Sequence, residues 1–448
     1  MAPKQARGRF RPFLGVFLLF CAVLTALPAS AGTIRDTEIE ATIEDMIAPL
    51  ADAAGFAPGE IKVRIIIDDN VNAFVQSGHT IFINSGLVID DVDVLQFIGV
   101  MAHELAHIKA GHVQRIDENL TQAKSAIALA SIAAVAMAAG GQGDAAAGVL
   151  IGGNDRAGRN LLSSVRQNEA VADEIGLALL DEVGVSGTGL RDMMARLSRQ
   201  RALPQSRQSK YYSTHPGAAQ RLQTYQDHVN RSPFSDTLPD SKIVAQFNRV
   251  RTKMIAWTQR PLTVLAGADP ALDPDLRTYA KSIANYRRGD LEQALADIDA
   301  LIAAAPKDPY FHEFKGDILM SMAQPIAAAA SYERAITIRP NSPQIKLLLG
   351  RALIATNDKE RLSRAIEVIS SARTEEPSWA ILHRQLGIAY GRAGMISEAD
   401  MSLAEEAILS GNNVRAVQLA KRTLARDSLA EPLRNRANDI IFRYGKDD

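Results

Sequence analysis

Residues 91–116 read DVDVLQFIGVMAHELAHIKAGHVQRI and give the strongest structural signal in the chain. Apolar residues recur along this stretch at the spacing of an α-helix, with Ile98, Met101 and Leu105 on one side. Adjacent positions are apolar as well, which is typical of a helix that is buried for most of its length. The stretch therefore predicts a largely buried helix.

Residues 103–107 of this helix, HELAH, match the pattern H-E-x-x-H. Four residues turn an α-helix by about 400°, so the imidazoles of His103 and His107 lie about 40° apart and can bind one ion. Glu104 is offset by one residue, which places its carboxylate beside such an ion rather than on it. Two surface histidines are the alternative, but unpaired histidines in a buried helix would be costly. We expect one Zn²⁺ per chain, bound by His103 and His107.

A catalytic zinc site needs a third protein ligand and one open position. Glu169 and Asp173 are four residues apart and share a helix face. One carboxylate could bind the metal while the other orients a ligand imidazole. The same spacing is also typical of an ordinary solvated helix face, so spacing alone does not decide between the two.

Three segments together resemble the gluzincin peptidases related to HtpX and the CAAX prenyl endopeptidases. They are the HELAH motif, residues 166–173 (RQNEAVAD), and Thr214-His215-Pro216 followed by Arg221. The resemblance implies a zinc endopeptidase in which Glu169 is the third zinc ligand and Asp173 is the partner of a ligand histidine.

In such an enzyme Glu104 is expected to act as the general base. His215 is the candidate either to stabilise the oxyanion or to occupy the open metal position in a latent state, with Arg221 bracing the site. The alternative is a loop histidine held by Pro216. His112 lies nine residues after His103, about 900° around a continuous helix, so we expect it to face away from the metal and not to be a ligand.

Two β-branched and aromatic runs, KVRIII at 62–67 and TIFIN at 80–84, predict a small sheet. Asn72-Ala73-Phe74 and residues 80–84 resemble the substrate-side edge of the same family, to which an extended peptide adds as a strand. His79 beside Gly78 replaces the small residue that is usual there. Helices are expected over 33–58, 161–182 and 187–201, and a loop over 202–214.

The second half of the chain carries three markers that recur first after 34 and then after 37 residues. These are prolines 306, 340 and 377, glycines 316, 350 and 387, and alanines 294, 328 and 365. A 34-residue period with small residues inside the helices resembles the tetratricopeptide repeat, a stack of helix pairs. Such repeats are expected to hold a substrate or a partner protein on their concave face.

Residues 1–31 have the pattern of a secretory signal peptide, with four cations, an apolar run over 13–27 and the cleavage site Ala29-Ser30-Ala31. Cleavage changes the formal charge from -1 to -1 − 4 = -5, since the segment has no acidic residue. A mildly acidic chain is not expected to bind nucleic acid. The single cysteine, Cys21, leaves with the segment, which suits the periplasm. An uncleaved anchor is the alternative.

Residues 125–143 are uncharged and rich in alanine. We expect a buried or interfacial helical hairpin with peripheral membrane contact, because alanine and glycine contribute little energy to insertion. An inserted segment is the alternative.

The sequence therefore predicts a mainly α protein. The expected units are a signal peptide (1–31), an α+β zinc peptidase domain with a small sheet (32–231), a linker or connecting helix (232–272) and an α-solenoid of repeats (273–448). This layout is similar to that of the periplasmic β-barrel assembly-enhancing proteases. It implies a periplasmic endopeptidase for unfolded or misassembled envelope proteins, whose repeats dock substrate or outer-membrane assembly machinery. The alternative is a non-proteolytic chaperone or scaffold with a structural or latent zinc, against which Glu104 argues.

Overall fold

A computed structural model describes residues 33–445, apart from 77, 91, 113–130, 132–142, 201–210, 212–213, 268–271 and 427–428. The predicted signal peptide lies outside these residues, as does the predicted hairpin except for residues 131 and 143. The fold is mainly α with one small sheet, as the sequence predicts. In the described part of the chain, no helix is both long and apolar enough to cross a membrane.

The first part of the chain combines four strands with helices that pack on one face of the sheet. Its elements are β1 (Thr33–Ile34), α1 (Thr37–Ala53), β2 (Lys62–Ile66), β3 (Ala73–Val75), β4 (Thr80–Asn84), α2 (Ser85–Ile89), α3 (Val94–Lys109), α4 (Gly143–Glu182), α5 (Thr188–Arg199) and α6 (Ala218–Val229).

The strand order is β1-β2-β4-β3, in which β2 and β4 are parallel and the other two pairs are antiparallel. β3 is therefore an edge strand and β4 is an inner strand, so the prediction that residues 80–84 belong to the substrate-side edge is wrong. Ile81 and Ile83 point into the core, while Phe82 lies half-buried on the outer face.

The helix that carries the HELAH motif is shorter than the sequence suggests. Asp93 caps α3 in a capping box with Gln96, and the helix ends at Lys109. A turn follows at Gly111, whose φ of 64° is readily adopted by glycine. The prediction of one uninterrupted helix is therefore wrong at residues 110–111, and residues 113–116 lie outside the described part of the chain.

Two other helices differ from their predicted limits. Thr33 and Ile34 form β1 rather than the start of a helix, because they pair with Ile66 and Ile65 of β2. The helix predicted to begin at residue 161 begins instead at Gly143 and runs for 40 residues. Glu169 and Asp173 lie in its second half, which packs against α3.

The second part of the chain is a series of antiparallel helix pairs, and it follows two connecting helices, α7 (Ser241–Thr258) and α8 (Pro261–Ala266). The pairs are α9/α10 (Pro274–Arg288, Leu291–Ala304), α11/α12 (Pro309–Ser321, Pro325–Ile338), α13/α14 (Pro343–Ala355, Lys359–Glu375), α15/α16 (Ala380–Arg392, Ile396–Leu409) and α17/α18 (Asn413–Leu424, Glu431–Tyr444).

The repeated glycine lets the two helices of a pair approach closely. A Cβ at Gly316 would lie 2.5 Å from the ring of Tyr332, and one at Gly350 would lie 2.3 Å from Ile369. Gly387 is equally close to its partner helix. The 34-residue spacing thus marks a repeated packing contact, in agreement with the solenoid predicted from it.

Charged side chains join the two parts of the chain. Arg249 of α7 binds Glu38 of α1 and, at 2.6 Å, Asp308 at the start of α11. Lys253 of α7 lies 3.0 Å from Glu38. The tyrosine hydroxyl of Tyr279 donates to the same carboxylate at 2.6 Å. The segment predicted to be a linker or connecting helix therefore contains a helix, α7, that is packed between the first part of the chain and the repeats.

A second contact lies farther along the repeats. Arg35 donates two hydrogen bonds of 2.9 Å to Glu376, and its guanidinium lies 4.2 Å from the ring centre of Trp379. Arg64 of β2 contacts Glu40 of α1 at 3.0 Å and Glu376 at 3.5 Å. Ion pairs buried in this way fix orientation more than they add stability, because both partners lose water.

Glu313 of α11 makes this interface sensitive to pH. Its carboxyl is buried beside Lys253, Asp317 and Asp36, and it accepts a hydrogen bond of 2.7 Å from Thr37. Burial raises the pKa of Glu313 to about 8. The folded protein therefore binds a proton that the unfolded chain releases near its ordinary value, and this stabilisation is lost as pH rises through 8.

We expect the apparent melting temperature to fall between pH 6 and pH 9, and to fall less steeply in Glu313→Gln, whose amide does not ionise. Thermal unfolding followed by circular dichroism across this range measures both slopes. Glu292→Gln, at an exposed position of α10, is the control. Equal slopes in the wild type and Glu313→Gln would show that Glu313 does not set the pH dependence.

Candidate metal centre

Four side chains from three separate segments meet in one buried place. His103 and His107 come from α3, Glu169 comes from α4, and His215 comes from the segment before α6. One donor atom from each lies within 4.8 Å of the others. All four side chains are almost completely enclosed, which unpaired imidazoles and carboxylates would not tolerate.

The separations between these donors fit a shared metal ion. Donors about 2.0–2.1 Å from a tetrahedral ion are about 3.3 Å from each other. The observed distances are 3.0 Å (His103 Nε2 to His107 Nε2), 3.3 Å (His103 Nε2 to His215 Nδ1), 3.4 Å (Glu169 oxygens to each of the two α3 imidazoles) and 3.1 Å (Glu169 Oε2 to His215 Nδ1). One N–H···N hydrogen bond would satisfy two imidazole nitrogens 3.0 Å apart, but it does not account for the convergence of all four donors.

Asp173 and Arg221 support these donors from behind. Asp173 Oδ1 lies 3.1 Å from Nδ1 of His103, so the Nε2 of that ring is directed toward the other donors. Arg221 of α6 donates to both oxygens of Asp173, at 2.7 and 2.6 Å, and to Oε2 of Glu169 at 2.6 Å. Oε1 of Glu169 remains directed at His107.

The net charge of the cluster also suits a divalent cation. Glu104, Glu169 and Asp173 supply three carboxylates, and Arg221 supplies the permanent cation among them. Three negative charges against one positive charge leave about -2 in a buried volume, where unbalanced charge is costly. A divalent metal ion would balance it.

The pKa values of the two α3 histidines follow from their surroundings. Burial lowers the pKa of His107 to about 3, which leaves its imidazole neutral with a lone pair for a metal. Burial also acts on His103, but Asp173 and Glu169 outweigh it and raise its pKa to about 9. The cluster thus favours a positive charge at this point, and a metal ion would displace a proton on binding.

Glu104 lies next to the donors without belonging to them. Its side chain is 1% exposed, and burial raises its pKa. Within the part of the chain that the structure describes, its Oε1 accepts no hydrogen bond, and it lies 3.5 Å from Nε2 of His215. A carboxylate with a free oxygen beside a metal site can accept and return a proton.

His112 is not one of the four converging donors, in agreement with the prediction that it is not a ligand, but the expectation that it faces away from the cluster is wrong. Its Nδ1 lies 2.9 Å from Nδ1 of His107, and its side chain is buried. The argument assumed a continuous helix, whereas α3 ends at Lys109 and the turn at Gly111 brings His112 back to His107. His112 contacts the side of His107 opposite the metal donors.

Two tyrosines at the site were not identified from the sequence. The Tyr225 hydroxyl donates to Asp173 and also contacts Arg221 at 3.2 Å. The Tyr211 ring packs on His215 with 4.2 Å between ring centres. Each tyrosine is four residues from a predicted site residue, Arg221 or His215, and this helical spacing was the available signal.

The segment that carries His215 is tied to the edge of the sheet. The amide of Tyr211 donates to the carbonyl of Val71 at 3.3 Å, and the Thr214 hydroxyl donates to Asn72 Oδ1 at 3.4 Å. His215 in turn donates its amide to Tyr211 O at 2.9 Å. Hydrogen bonds therefore connect Asn72, the residue before β3, to the segment that carries the metal donor His215.

Comparison with known proteins agrees with this geometry. Residues 34–229 match the sequence profile of peptidase family M48. The chain is 21% identical to the β-barrel assembly-enhancing protease of Yersinia pestis over 417 residues, 90% of this chain and 82% of that protein. The protein of the same name from Escherichia coli K12 is 23% identical over 73% of this chain and 67% of its own length.

The chain is also similar to the metalloprotease LoiP of Escherichia coli K12, with 28% identity over 38% of this chain and 63% of LoiP. Among solved structures, MamA is 17% identical, covers 37% of this chain and 92% of its own, and has a TM-score of 0.32. A tetratricopeptide repeat protein from Parabacteroides merdae is 10% identical, covers 50% of this chain and 93% of its own, and has a TM-score of 0.28.

We expect Asp173→Asn to weaken metal binding about 10- to 100-fold, because the amide no longer orients the His103 ring as a carboxylate does. Competition with a chromophoric chelator measures the affinity. Asp181→Asn is the matched control, since Asp181 lies on the same helix but contacts Ser232 and His228. Equal affinities in the two variants would contradict a role for Asp173 at the metal.

Proposed function

Because residues 34–229 form a domain of peptidase family M48 and the chain is a metalloendopeptidase, we propose that it hydrolyses unfolded or misassembled envelope proteins in the periplasm with one zinc ion. The observation that carries this proposal is the convergence of His103, His107, Glu169 and His215 beside a buried Glu104.

We assign zinc from the chemistry of the donors. Imidazole nitrogens and one carboxylate are ligands that suit zinc, and two histidines with a glutamate form a common catalytic set. When bound there, the ion would polarise a peptide carbonyl and lower the pKa of a water molecule. His103, His107 and Glu169 would hold it, with Asp173 and Arg221 keeping His103 and Glu169 in place.

Glu104 moves the proton. Its carboxylate accepts one proton from the attacking water, whose oxygen bonds to the carbonyl carbon. The peptide C–N bond then breaks, and Glu104 returns the proton to the leaving nitrogen as the amine departs. The free Oε1 of Glu104 and its burial suit this exchange.

The substrate is proposed to bind as a strand along β3. Asn84 donates its amide to Asn72 O, so alternation along an antiparallel pair directs the amides and carbonyls of Ala73 and Val75 away from β4. These groups are available to an extended polypeptide. Asn72 links this edge to the segment of His215, which places the bound strand next to the metal donors.

His215 is proposed to close the site in a resting state. Its Nδ1 is directed at His103 and Glu169, where a fourth ligand would lie, and Nε2 is directed at Glu104. A water molecule and a substrate carbonyl would need this position. Displacement of His215 would therefore precede cleavage, whereas a role of this imidazole in stabilising the oxyanion is the alternative.

The location and the partners are proposed from the relatives. Two proteins named β-barrel assembly-enhancing protease align with this chain over both its peptidase and repeat parts. A signal peptide at residues 1–31 would deliver the chain to the periplasm. The repeats would dock substrate or outer-membrane assembly machinery, and residues 125–143 would provide any peripheral membrane contact.

We expect Glu104→Gln to bind one zinc per chain, like the wild type, and to lose cleavage of an unfolded protein such as casein by at least about 100-fold. Metal content by mass spectrometry and casein hydrolysis are the two measurements. Glu174→Gln, an exposed position on α4, is the control. Equal hydrolysis by Glu104→Gln and wild type would remove the proposed mechanism. A zinc-bound wild type that suppresses aggregation without cleaving would favour the scaffold.

We expect His215→Ala to cleave casein faster than the wild type, because the side chain that occupies the position of the water and the substrate carbonyl is removed. We also expect it to bind zinc more weakly, because a metal ligand is removed. Initial rates at saturating zinc separate the two effects. His228→Ala is the control, since His228 pairs with Asp181 instead. A slower His215→Ala would assign His215 to oxyanion stabilisation and contradict closure.

A further inference from the structure

Two aromatic rings stand side by side on the outer face of the sheet. Phe74 of the edge strand and Phe82 of β4 are directly opposite each other, with ring centres 5.4 Å apart and planes inclined by 12°. Both rings are half-buried. Such offset stacking is a favourable arrangement for aromatic pairs.

One end of this stack is closed. Arg64 of β2 is the next residue across the sheet from Phe82. Its guanidinium is bound to Glu40 at 3.0 Å and to the carbonyl of Val63 at 2.8 Å. The row of rings therefore ends in a fixed polar group on the side of the repeats.

At the other end of the stack, no strand among the described residues pairs with the outer edge of β3. Among the residues that the structure describes, Phe82 is the aromatic ring that stacks on Phe74. On the far side of Phe74 lies the edge where Ala73 and Val75 present their backbone groups. A strand added there would place its own side chains beside Phe74.

The geometry of strand pairing fixes which side chain this is. If the added strand is antiparallel, its residues opposite Ala73 and Val75 form hydrogen-bonded pairs, and the residue opposite Phe74 forms the non-hydrogen-bonded pair. Cα atoms in such a pair are about 4.5 Å apart, and both side chains point to the same face. A ring at that position would extend the stack at nearly the spacing that separates Phe74 from Phe82.

We propose that Phe74, supported by Phe82, is a specificity-determining residue that selects an aromatic or large apolar side chain in the substrate strand. This inference rests on the proposed function, since it assumes that a polypeptide adds to β3. It assigns a substrate class: extended segments in which an aromatic residue points to one face while alternate residues point to the other. Segments of this pattern are typical of unassembled β-strands.

The test is to digest a library of unfolded peptides with the zinc-loaded protein and to map the cleaved bonds by mass spectrometry. We expect aromatic residues to be enriched roughly 3- to 10-fold at one fixed position from the cleaved bond. Phe74→Ser should abolish the enrichment while other sites are still cut. Phe74→Leu should shift it toward aliphatic residues.

Ile67→Ser is the matched control, because Ile67 is also partly exposed but follows β2, away from β3. Its cleavage profile should equal that of the wild type. An unchanged profile in Phe74→Ser, or no aromatic preference in the wild type, would overturn the proposal. Zinc content and circular dichroism of each variant show whether it has folded.

A binding measurement separates this inference from the proposed function. In Glu104→Gln, a strand-forming peptide with one phenylalanine should bind roughly 3- to 10-fold more tightly than the same peptide with serine. The difference should vanish in Glu104→Gln/Phe74→Ser. If the phenylalanine peptide binds more tightly but the wild type cleaves nothing, the proposed function is wrong and the role of Phe74 stands. If the wild type cleaves but the two peptides bind equally, the proposed function stands and the role of Phe74 is wrong.

Discussion

The structure depends on one electrostatic constraint: carboxylates and imidazoles are collected in a space from which water is excluded. Glu169, Asp173 and Glu104 cannot remain ionised there unless positive charge is held among them. Arg221 supplies part of it by binding two of the carboxylates, and the donor set of His103 and its neighbours suits a metal ion for the rest. This balance of charge therefore constrains how helices α3, α4 and α6 pack against one another.

The sequence was most informative where function requires a local spacing. H-E-x-x-H identified His103, Glu104 and His107 because one helical turn brings the two imidazoles together. Glu169 and Asp173 were suggested by spacing and assigned by resemblance, and the structure places both at the cluster. The repeats could be predicted because the same glycine contact recurs in three of the five helix pairs.

Prediction failed where a long-range contact or a single turn decides the structure. The turn at Gly111 redirects His112, and the neighbouring apolar sequence gave no sign of it. β3 became the edge because β4 pairs with both β2 and β3, an order that strand patterns do not specify. The contacts of Arg35 with Glu376 and of Arg249 with Glu38 join residues hundreds of positions apart. In the sequence, the charged residues that form these contacts look the same as those of an ordinary solvated helix surface.

Helix α7 sets the geometry between the two halves of the molecule. Arg249 and Lys253 hold α1 and the start of the repeats together through buried charges, which are directional and tolerate little displacement. The repeats are therefore held at a set distance from Glu104. The proposed binding of one polypeptide both to the repeats and beside Glu104 would therefore require that polypeptide to span this distance.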